Sequence, residues 1–222
     1  MDHRSFIEEV CRVLGGRIVR SGLDALGVEV QIVEEEVDPV DLEEVRELLG
    51  DCRRCKLCDG RKSIVFGEGS VHPRLIVVGE GPGQTEDETG RPFVGQAGQM
   101  LDRMLENVLQ IGRDQAFITN AVKCRTSSDD RDPEPDELDA CMPFLRMQQR
   151  VLRPSFGLVL GKVAARSVLG LEGSLRQMRG KWYDWSGVPT MVTYHPAHLL
   201  RHPEDKRKAF EDLLMLASRM KE

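Results

Sequence analysis

The stretch Arg74 to Leu101, RLIVVGEGPGQTEDETGRPFVGQAGQML, decides the fold class of this chain. It begins with a short apolar run, Leu75 to Val78, which is typical of a buried strand. A turn rich in Gly, Pro and acidic residues follows, and the apolar spacing after it predicts a helix over 95–108. A strand that leads through a turn into a helix is the first part of an α/β unit.

The same alternation of strand and helix continues towards the end of the chain. The patterns predict further strands over 116–119, 156–160 and 190–193, a hairpin around GKWYDWSG, and helices over 134–151, 162–169 and 203–220. Such alternation predicts an α/β fold with a mostly parallel sheet covered on both faces. In sheets of this kind the ligand crevice lies at the carboxyl ends of the strands, so polar residues at those ends are candidates for function.

The first fifty residues do not share this alternation. We expect residues 1–50 to be an N-terminal extension that packs on a domain of residues 51–222, with helices over 4–22 and 38–49 and a short strand over 28–33. Nine acidic residues and one basic residue lie between Glu34 and Asp51, so this segment carries a charge of −8 in a chain of net charge −6. The acidity of the chain is therefore local.

The composition argues against a membrane protein. At 222 residues and 40% hydrophobic content the chain can bury a full core. Its apolar runs are far shorter than the roughly 20 residues that cross a bilayer. The N-terminus MDHRSFIEEV lacks the apolar segment of a secretory signal, so we expect a cytoplasmic location. Six cysteines in that location are more often metal ligands, catalytic groups or core residues than disulfides.

The C-terminal part of the chain is basic. From Leu145 onward there are fourteen Lys and Arg residues against seven Asp and Glu, including the cluster Lys206, Arg207 and Lys208. Such a surplus suits contact with phosphate, although a solvated basic helix face has the same composition.

Polar residues of three kinds follow three of the predicted strands. Glu80 follows the first core strand, Asn120 ends the second, and His195 follows the last. An Asn side chain offers donors and an acceptor to a planar ring that carries adjacent C=O and N–H groups. A neutral imidazole can donate a hydrogen bond to an oxygen that gains negative charge in a transition state. Together these residues predict recognition of a polar ring and stabilisation of charge that develops on it.

The loop between the first core strand and its helix adds to this group. The exposed-looking Phe93 supplies a stacking face, which for a base is typically worth about 1–3 kcal/mol; the alternative is a core aromatic of the loop. Gly79, Gly81 and Gly83 let backbone N–H groups approach a ligand where a Cβ atom would block it.

The cysteines form a second group. Cys52 and Cys55 make a Cys-x-x-Cys pair, and Cys58 creates an overlapping pair, so either pair qualifies as metal ligands. Cys124 lies beside the predicted pocket, and Cys141 follows it after sixteen residues. Four thiolates hold zinc or an iron–sulfur cluster, and the local spacing does not distinguish the two.

Four motifs resemble those of the family 4 uracil-DNA glycosylases, the iron–sulfur branch of that superfamily. They are CRRCKLCDGR, GEGPGQTEDETGRPFVGQAGQML, ITNAVKCR and YHPAHLLR, in this order between about Asp51 and Met220. The resemblance implies a three-layer α/β/α sandwich around a short parallel sheet. It also implies a monomeric, monofunctional enzyme that excises uracil from single- and double-stranded DNA by hydrolysis and leaves an abasic site. A repair protein that binds the N-terminal extension would be a further partner.

The resemblance gives the candidate residues specific roles. Phe93 would stack on the flipped uracil, Asn120 would read its polar edge, and His195 would donate to its O2 oxygen as the glycosidic bond breaks. Glu80 would orient or activate water. Here the chain departs from many relatives outside the family, which have an Asp one position later, where this chain has Gly81.

Two acids of the loop, Glu86 and Asp87, are rivals for the role of Glu80, and Asp87 is also a candidate brace of the loop. In the segment HPAHLLRHP, either Leu199 or Leu200 would fill the space that the base leaves, with Arg201 near a phosphate.

The resemblance further implies a structural 4Fe–4S cluster. Its ligands would be Cys52, Cys55, Cys124 and Cys141, because Leu57 and Arg61 stand at the family's spacing after the first pair. Cys58 would then be surplus.

Two other functions fit the sequence less well. A superfamily member that traps uracil-DNA covalently uses a histidine on a basic loop, whereas the corresponding segment here, KCRTSSDDRDPEP, is acidic and has no histidine. A non-catalytic iron–sulfur module that only binds DNA would not need Glu80, Asn120 and His195 together.

Overall fold

The computed structural model describes residues 41–126 and 131–221, together with the backbone of residues 17–20 and 30–33. The chain divides into two compact units, Met1–Asp41 and Leu42–Glu222. In the first unit, strand β1 (Arg17–Arg20) pairs antiparallel with strand β2 (Val30–Val33).

Strand β1 lies where the sequence predicted the end of a helix over 4–22, so that part of the prediction is wrong. The β-branched residues Ile18 and Val19 favour a strand, and two glycines precede them. The strand predicted over 28–33 is confirmed at β2. The other residues of these two predictions, and residues 38–40 of the predicted second helix, lie outside the described part of the chain.

The larger unit begins with helix α1 (Leu42–Leu49), which buries Val45 and Leu49. The unit therefore includes a helix that the sequence assigned to the extension. Its strands are β3 (Glu68–Gly69), β4 (Leu75–Gly79), β5 (Ala116–Asn120), β6 (Phe156–Leu160), β7 (Trp182–Trp185) and β8 (Val188–Thr193).

Further helices of the described residues flank these strands. They are α2 (Gln84–Thr89), α3 (Gln96–Met104), α4 (Pro135–Leu152), α5 (Lys162–Leu169), α6 (Leu175–Met178), α7 (Pro196–Arg201) and α8 (Lys206–Arg219). Helix α3 continues as a π-helical stretch over Leu105–Leu109. Single 3₁₀ turns occur at Lys56–Asp59, Arg113–Gln115 and Pro203–Asp205. No helix in the described residues is both long enough and apolar enough to cross a membrane.

The six strands of the larger unit form one sheet in the order β3-β5-β4-β6-β8-β7. The four central strands are parallel, and the edge strands β3 and β7 are antiparallel to their neighbours. All five residues of β4 and of β5 are buried, as expected of parallel strands covered on both faces. The mixed α/β fold with a mostly parallel sheet is therefore confirmed.

The register of the sheet brings the carboxyl ends of its central strands to one edge. Gly79 at the end of β4 lies opposite Asn120 at the end of β5, and Leu160 at the end of β6 lies opposite Thr193. The residues that follow these strands therefore lie at the same edge, where the ligand crevice of such a sheet is found.

The predicted hairpin is also present. It joins β7 to β8 through Ser186 and Gly187, which both have positive φ angles, 49° and 85°. Two successive positive φ angles are the mark of the tight turn that matches the twist of paired strands.

Candidate functional site

Three of the predicted site residues meet at the end of β4. A Cβ atom placed on Gly79 would lie 2.4 Å from Oδ1 of Asn120 and 2.4 Å from Cζ of Phe93. Only a residue without a side chain leaves room for both groups, which explains the glycine at this position. The amide of Asn120 and the ring of Phe93 are thus neighbours, although the chain separates them widely.

Phe93 is buried rather than exposed, so the alternative from the sequence, a core aromatic of the loop, describes its environment. Only 5% of its surface is accessible, and it belongs to the main hydrophobic core. Its φ angle of 51° is unusual for a large side chain and sends the ring inward from a loop that looks exposed in the sequence. The ring centroid lies 5.6 Å from that of His195, with the planes tilted by 35°. Phe93 therefore joins the Asn120 side of the site to the His195 side.

His195 occupies the N-cap position of helix α7. Its Nδ1 accepts a hydrogen bond from the backbone N–H of Ala197 at 3.2 Å, so a neutral ring carries its proton on Nε2. Burial lowers the pKa of His195 to about 4, with smaller effects from the charges of Arg201 and His198. The ring is therefore neutral near pH 7. Gly161, after β6, leaves room for it, since a Cβ atom there would lie 3.2 Å from the His195 Cβ.

Glu80 follows β4 directly. Burial, and to a lesser extent the charge of Asp132, raises the pKa of this carboxyl to about 7. A carboxyl with such a pKa can be ionised near neutral pH and still accept a proton, as a general base requires.

The two rival acids of the loop are engaged with the backbone. Oε1 of Glu86 accepts from the N–H groups of Val94 and Gly95 at 2.9 and 2.8 Å. Oδ1 of Asp87 accepts from the N–H group of Lys62 at 2.8 Å and from that of Ser63 at 3.2 Å. Both carboxylates are buried and brace the loop that carries Phe93, as was considered for Asp87 from the sequence.

Gly81 and Gly83 shape the turn between Glu80 and helix α2. A Cβ atom on Gly81 would lie 2.9 Å from Cγ2 of Val122, and one on Gly83 would lie 2.9 Å from Oε2 of Glu86. The close packing of this turn accounts for both glycines, and their predicted contact with substrate remains a prediction.

Arg113 was missed by the sequence analysis. Its guanidinium donates to the carbonyl oxygens of Pro92 at 2.6 Å and Phe93 at 3.0 Å, and forms ion pairs with Glu68 and Asp102 at 2.7 and 2.9 Å. A lone arginine in a short loop carries no sequence signal for this role, because all four partners are distant in the chain.

The two leucines of helix α7 differ in environment. Leu199 is 2% exposed and belongs to the core, whereas Leu200 is 36% exposed. Arg201, next in the chain, is exposed. Of the two leucines, Leu200 is therefore the one that faces solvent.

Four of the cysteines are electrostatic neighbours. Burial raises the pKa of the Cys141 thiol, and the charges of Cys52 and Cys55 add to that effect. The charges of Cys141 and Cys55 likewise add to the effect of burial on the pKa of the Cys124 thiol. Cys124 and Cys141 are buried, with Leu57 in the same apolar cluster. No three His, Cys, Asp or Glu side chains in the described residues come close enough together for a single metal ion.

Nitrogen donors surround these sulfur atoms. Arg61 donates to Sγ of Cys124 at 3.6 Å and to the carbonyl of Cys52 at 2.7 Å, and the backbone N–H of residue 123 donates to Sγ of Cys141 at 3.3 Å. Burial raises the pKa of the Cys124 thiol to about 12. By contrast, Cys58 points to Asp59, with 3.5 Å between Sγ and Oδ1.

Comparison with known proteins agrees with this arrangement. Residues 66–215 match the model of the uracil DNA glycosylase superfamily. A type-4 uracil-DNA glycosylase of Sulfurisphaera tokodaii is 40% identical over 179 residues, which cover 77% of this chain and 81% of the relative. The chain belongs to the type-4 uracil-DNA glycosylase family. The resemblance seen in the sequence motifs is thereby confirmed.

Other members of the type-4 family are similar to the same extent. The type-4 uracil-DNA glycosylase of Pyrobaculum aerophilum is 40% identical over 184 residues, covering 79% of this chain and 93% of the relative. That of Thermotoga maritima is 39% identical over 176 residues, covering 78% of this chain and 91% of the relative.

Proposed function

We propose that this member of the type-4 family excises uracil from DNA by hydrolysing the N-glycosidic bond, leaving an abasic site. The observation that carries the proposal is Oδ1 of Asn120, which is buried and has no hydrogen-bond partner in the described residues. Leaving such an acceptor unpaired costs about 1–3 kcal/mol. A ligand that brings an N–H donor to this atom recovers that free energy.

Uracil fits this acceptor better than cytosine does. The ring N–H of uracil lies between two carbonyl groups, so an Asn side chain can accept from the N–H and donate to a neighbouring carbonyl oxygen. Cytosine has an unprotonated nitrogen at the same position and would place a lone pair against Oδ1. Asn120 therefore favours uracil by leaving a buried acceptor unpaired when cytosine is present.

The base must first leave the DNA stack, which costs a few kcal/mol and least for a mismatched base. Phe93 would stack on the flipped base from the side it shares with His195. Leu200, the exposed leucine of helix α7, would fill the space in the duplex, and Arg201 would contact a phosphate.

Bond cleavage puts negative charge on the departing uracil. Nε2–H of His195 would donate to the O2 oxygen as that charge develops, and the ring stays neutral while doing so. Glu80 would hold or activate the water that attacks the sugar. Both interactions strengthen as charge separates, so they stabilise the transition state more than the bound substrate.

We also propose that Cys52, Cys55, Cys124 and Cys141 hold a 4Fe–4S cluster. Two observations support this assignment. The charges of these thiols affect one another's pKa values, and N–H groups donate to the sulfur atoms of Cys124 and Cys141. A four-iron cluster binds one thiolate at each iron, so its ligands stand farther apart than those of one zinc ion. The cluster would have a structural role, because it would tie the segment at Cys52 to the residues that follow β5 and to α4.

Three further expectations from the sequence remain predictions. They are a monomeric state, a cytoplasmic location and a repair-protein partner for the N-terminal extension. Gel filtration of the purified protein tests the first of them.

The deciding experiment incubates the full chain with end-labelled DNA that contains a single uracil, thymine or cytosine, and then cleaves abasic sites with alkali. We expect cleavage of uracil in single strands and in U·G and U·A duplexes, with far less of the other two bases. Absence of cleavage by a protein that retains its iron would favour a DNA-binding module. A DNA–protein adduct that survives denaturing electrophoresis would favour covalent trapping.

A further inference from the structure

Lys123 is a buried cation that is surrounded by neutral acceptors. It is 1% exposed, and its Nζ donates to Oγ1 of Thr119 at 2.6 Å, the carbonyl of Asn120 at 2.8 Å and Oε1 of Gln148 at 2.7 Å. No Asp or Glu within 41–126 or 131–221 forms an ion pair with it. Buried charges in proteins are normally paired, so the missing counter-charge requires an explanation.

The backbone of Lys123 adjoins two of the cysteines. Lys123 directly precedes Cys124, and its backbone N–H donates to Sγ of Cys141 at 3.3 Å. Cys124 and Cys141 are both among the proposed cluster ligands, so Lys123 adjoins two of the four. As free thiols these groups are neutral, and they become negative when they bind iron.

We propose that Lys123 is a positioning residue that provides the counter-charge for the cluster-bound thiolates and, with the same ammonium group, holds the end of β5 that carries Asn120. The inference rests on the cluster assignment made above. A cluster with four thiolate ligands is anionic, and its charge would stabilise a buried ammonium group on a residue that adjoins two of those ligands, without a carboxylate partner.

The contacts of Lys123 connect the two sites. On one side its ammonium fixes the backbone carbonyl of Asn120, whose side chain is the acceptor proposed to read uracil. On the other side, Gln148 and Thr119 are anchored in turn, since Nε2 of Gln148 and Oγ1 of Thr119 both donate to the carbonyl of Phe66 at 2.9 Å. Loss of the ammonium would therefore loosen the position of Asn120 as well as the environment of the cluster.

The test uses full-length protein purified without oxygen and two measurements. One is the rate at which an iron chelator bleaches the visible absorbance of the cluster, and the other is the split between kcat and KM on uracil-containing single-stranded DNA. For Lys123→Met we expect bleaching roughly 10–100-fold faster, as for other residues that support metal ligands. We also expect kcat to fall while KM changes little, because DNA contacts remain. Lys181→Met, which removes an exposed lysine, is the matched control and should match the wild type in both measurements.

A second variant covers the case in which Lys123→Met fails to fold. Gln148→Glu keeps an acceptor for the ammonium and gives Lys123 a carboxylate partner, so it should also speed bleaching. Folded Lys123→Met or Gln148→Glu protein with wild-type bleaching and wild-type kcat would overturn the inference alone. Wild-type protein that cleaves uracil-DNA but contains no iron would overturn both this inference and the cluster assignment, while leaving the proposed activity in place.

Discussion

The guanidinium of Arg113 holds the peptide of Phe93 in a conformation that large side chains seldom adopt. Phe93 has a φ angle of 51°, and Nη1 of Arg113 donates to its carbonyl oxygen at 3.0 Å. Gly98 makes room for the same carbonyl, since a Cβ atom there would lie 1.8 Å from the oxygen. Strained residues of this kind persist where surrounding contacts over-determine them, and they are common at binding sites.

Replacing Arg113 with Met should therefore impair catalysis through Phe93. We expect kcat to fall by up to about 100-fold, the loss that a misplacement of about 1 Å can produce. The effect should be absent when Phe93 has already been replaced by Ala, because both changes remove the same stacking contact. The measurement is kcat, determined separately from KM, on uracil-containing DNA for the two single variants and the double variant.

Arg91→Met is the matched control for that cycle. Arg91 forms an ion pair with Glu68 at 2.8 Å, as Arg113 does, and is more exposed. Its removal should leave kcat within about twofold of the wild type, because an exposed ion pair contributes little to stability and the guanidinium of Arg91 donates to Glu68 rather than to the peptide of Phe93. Equal and additive losses from Arg113→Met in the presence and absence of the Phe93 ring would contradict the positioning role.

Gly79→Ala should obstruct the site directly. The new methyl group would lie 2.4 Å from both the amide oxygen of Asn120 and the ring of Phe93, so one of them must move. We expect kcat/KM to fall about 100-fold, with a loss of stability of about 1–3 kcal/mol from overpacking. Gly60→Ala is the control, since no atom lies within 4 Å of its new Cβ position. Unchanged activity of Gly79→Ala would remove Asn120 and Phe93 from the site.

The sequence predicted the elements of the fold that depend on local residue patterns. The apolar run over 75–78 and its counterparts predicted the central strands, and parallel pairing then required their carboxyl ends to meet. This is why the sequence alone places Gly79 and Asn120 at one edge of the sheet. The hairpin before β8 was equally visible, because its turn residues have a strong local signature.

Features that depend on long-range contacts were not visible. Arg113 and Lys123 look like ordinary surface residues in the sequence, and neither the contact of Arg113 with Pro92 nor that of Lys123 with Gln148 has a local signal. The burial of Phe93 depends on its positive φ angle and on Arg113, neither of which a loop sequence reveals. Residues 17–20 form a strand that pairs with residues 30–33, and the spacing of apolar residues within one segment does not reveal such a pairing.

The raised pKa of Glu80 predicts the pH dependence of catalysis. With a pKa of about 7, Glu80 is largely protonated at pH 6 and largely ionised at pH 8. If its carboxylate activates water, kcat should fall about tenfold for each unit of pH below that pKa. His195 adds no step in this range, since its pKa is about 4. In Glu80→Gln the rate should be low and independent of pH between 6 and 8.

The same shift makes a prediction about stability. The folded chain holds a proton on Glu80 up to about pH 7, whereas the unfolded chain releases it near the ordinary value of 4.5. The folded state therefore binds more protons between these values, so the free energy of unfolding should decrease as pH rises through this window. Denaturant unfolding at several pH values should show that Glu80→Gln lessens this decrease. An identical decrease in both proteins would mean that the Glu80 carboxyl is not buried in solution.

The choice between overlapping cysteine pairs can be tested by two serine variants. Besides burial, the charge of Cys52 raises the pKa of the Cys141 thiol. The thiol of Cys58 instead contacts Asp59, and desolvation, followed by this contact, raises its pKa. Cys52→Ser should therefore lose most of its iron, and Cys58→Ser should retain wild-type iron. Iron per chain, measured on protein purified without oxygen, decides the outcome. Loss of iron from Cys58→Ser alone would assign the ligand pair to Cys55 and Cys58.

The two leucines of helix α7 should have separable effects. Leu200 is 36% exposed and is the one available to enter a duplex, so Leu200→Ala should lower kcat/KM on a U·A duplex much more than on a single strand. Leu199 is 2% exposed and packs in the core, so Leu199→Ala should instead lower the free energy of unfolding by about 2–5 kcal/mol. Parallel measurements of duplex and single-strand cleavage and of denaturant unfolding separate the two. A duplex-specific defect in Leu199→Ala with full stability would reverse the assignment, because a leucine that stays in the core cannot fill the space vacated by the base.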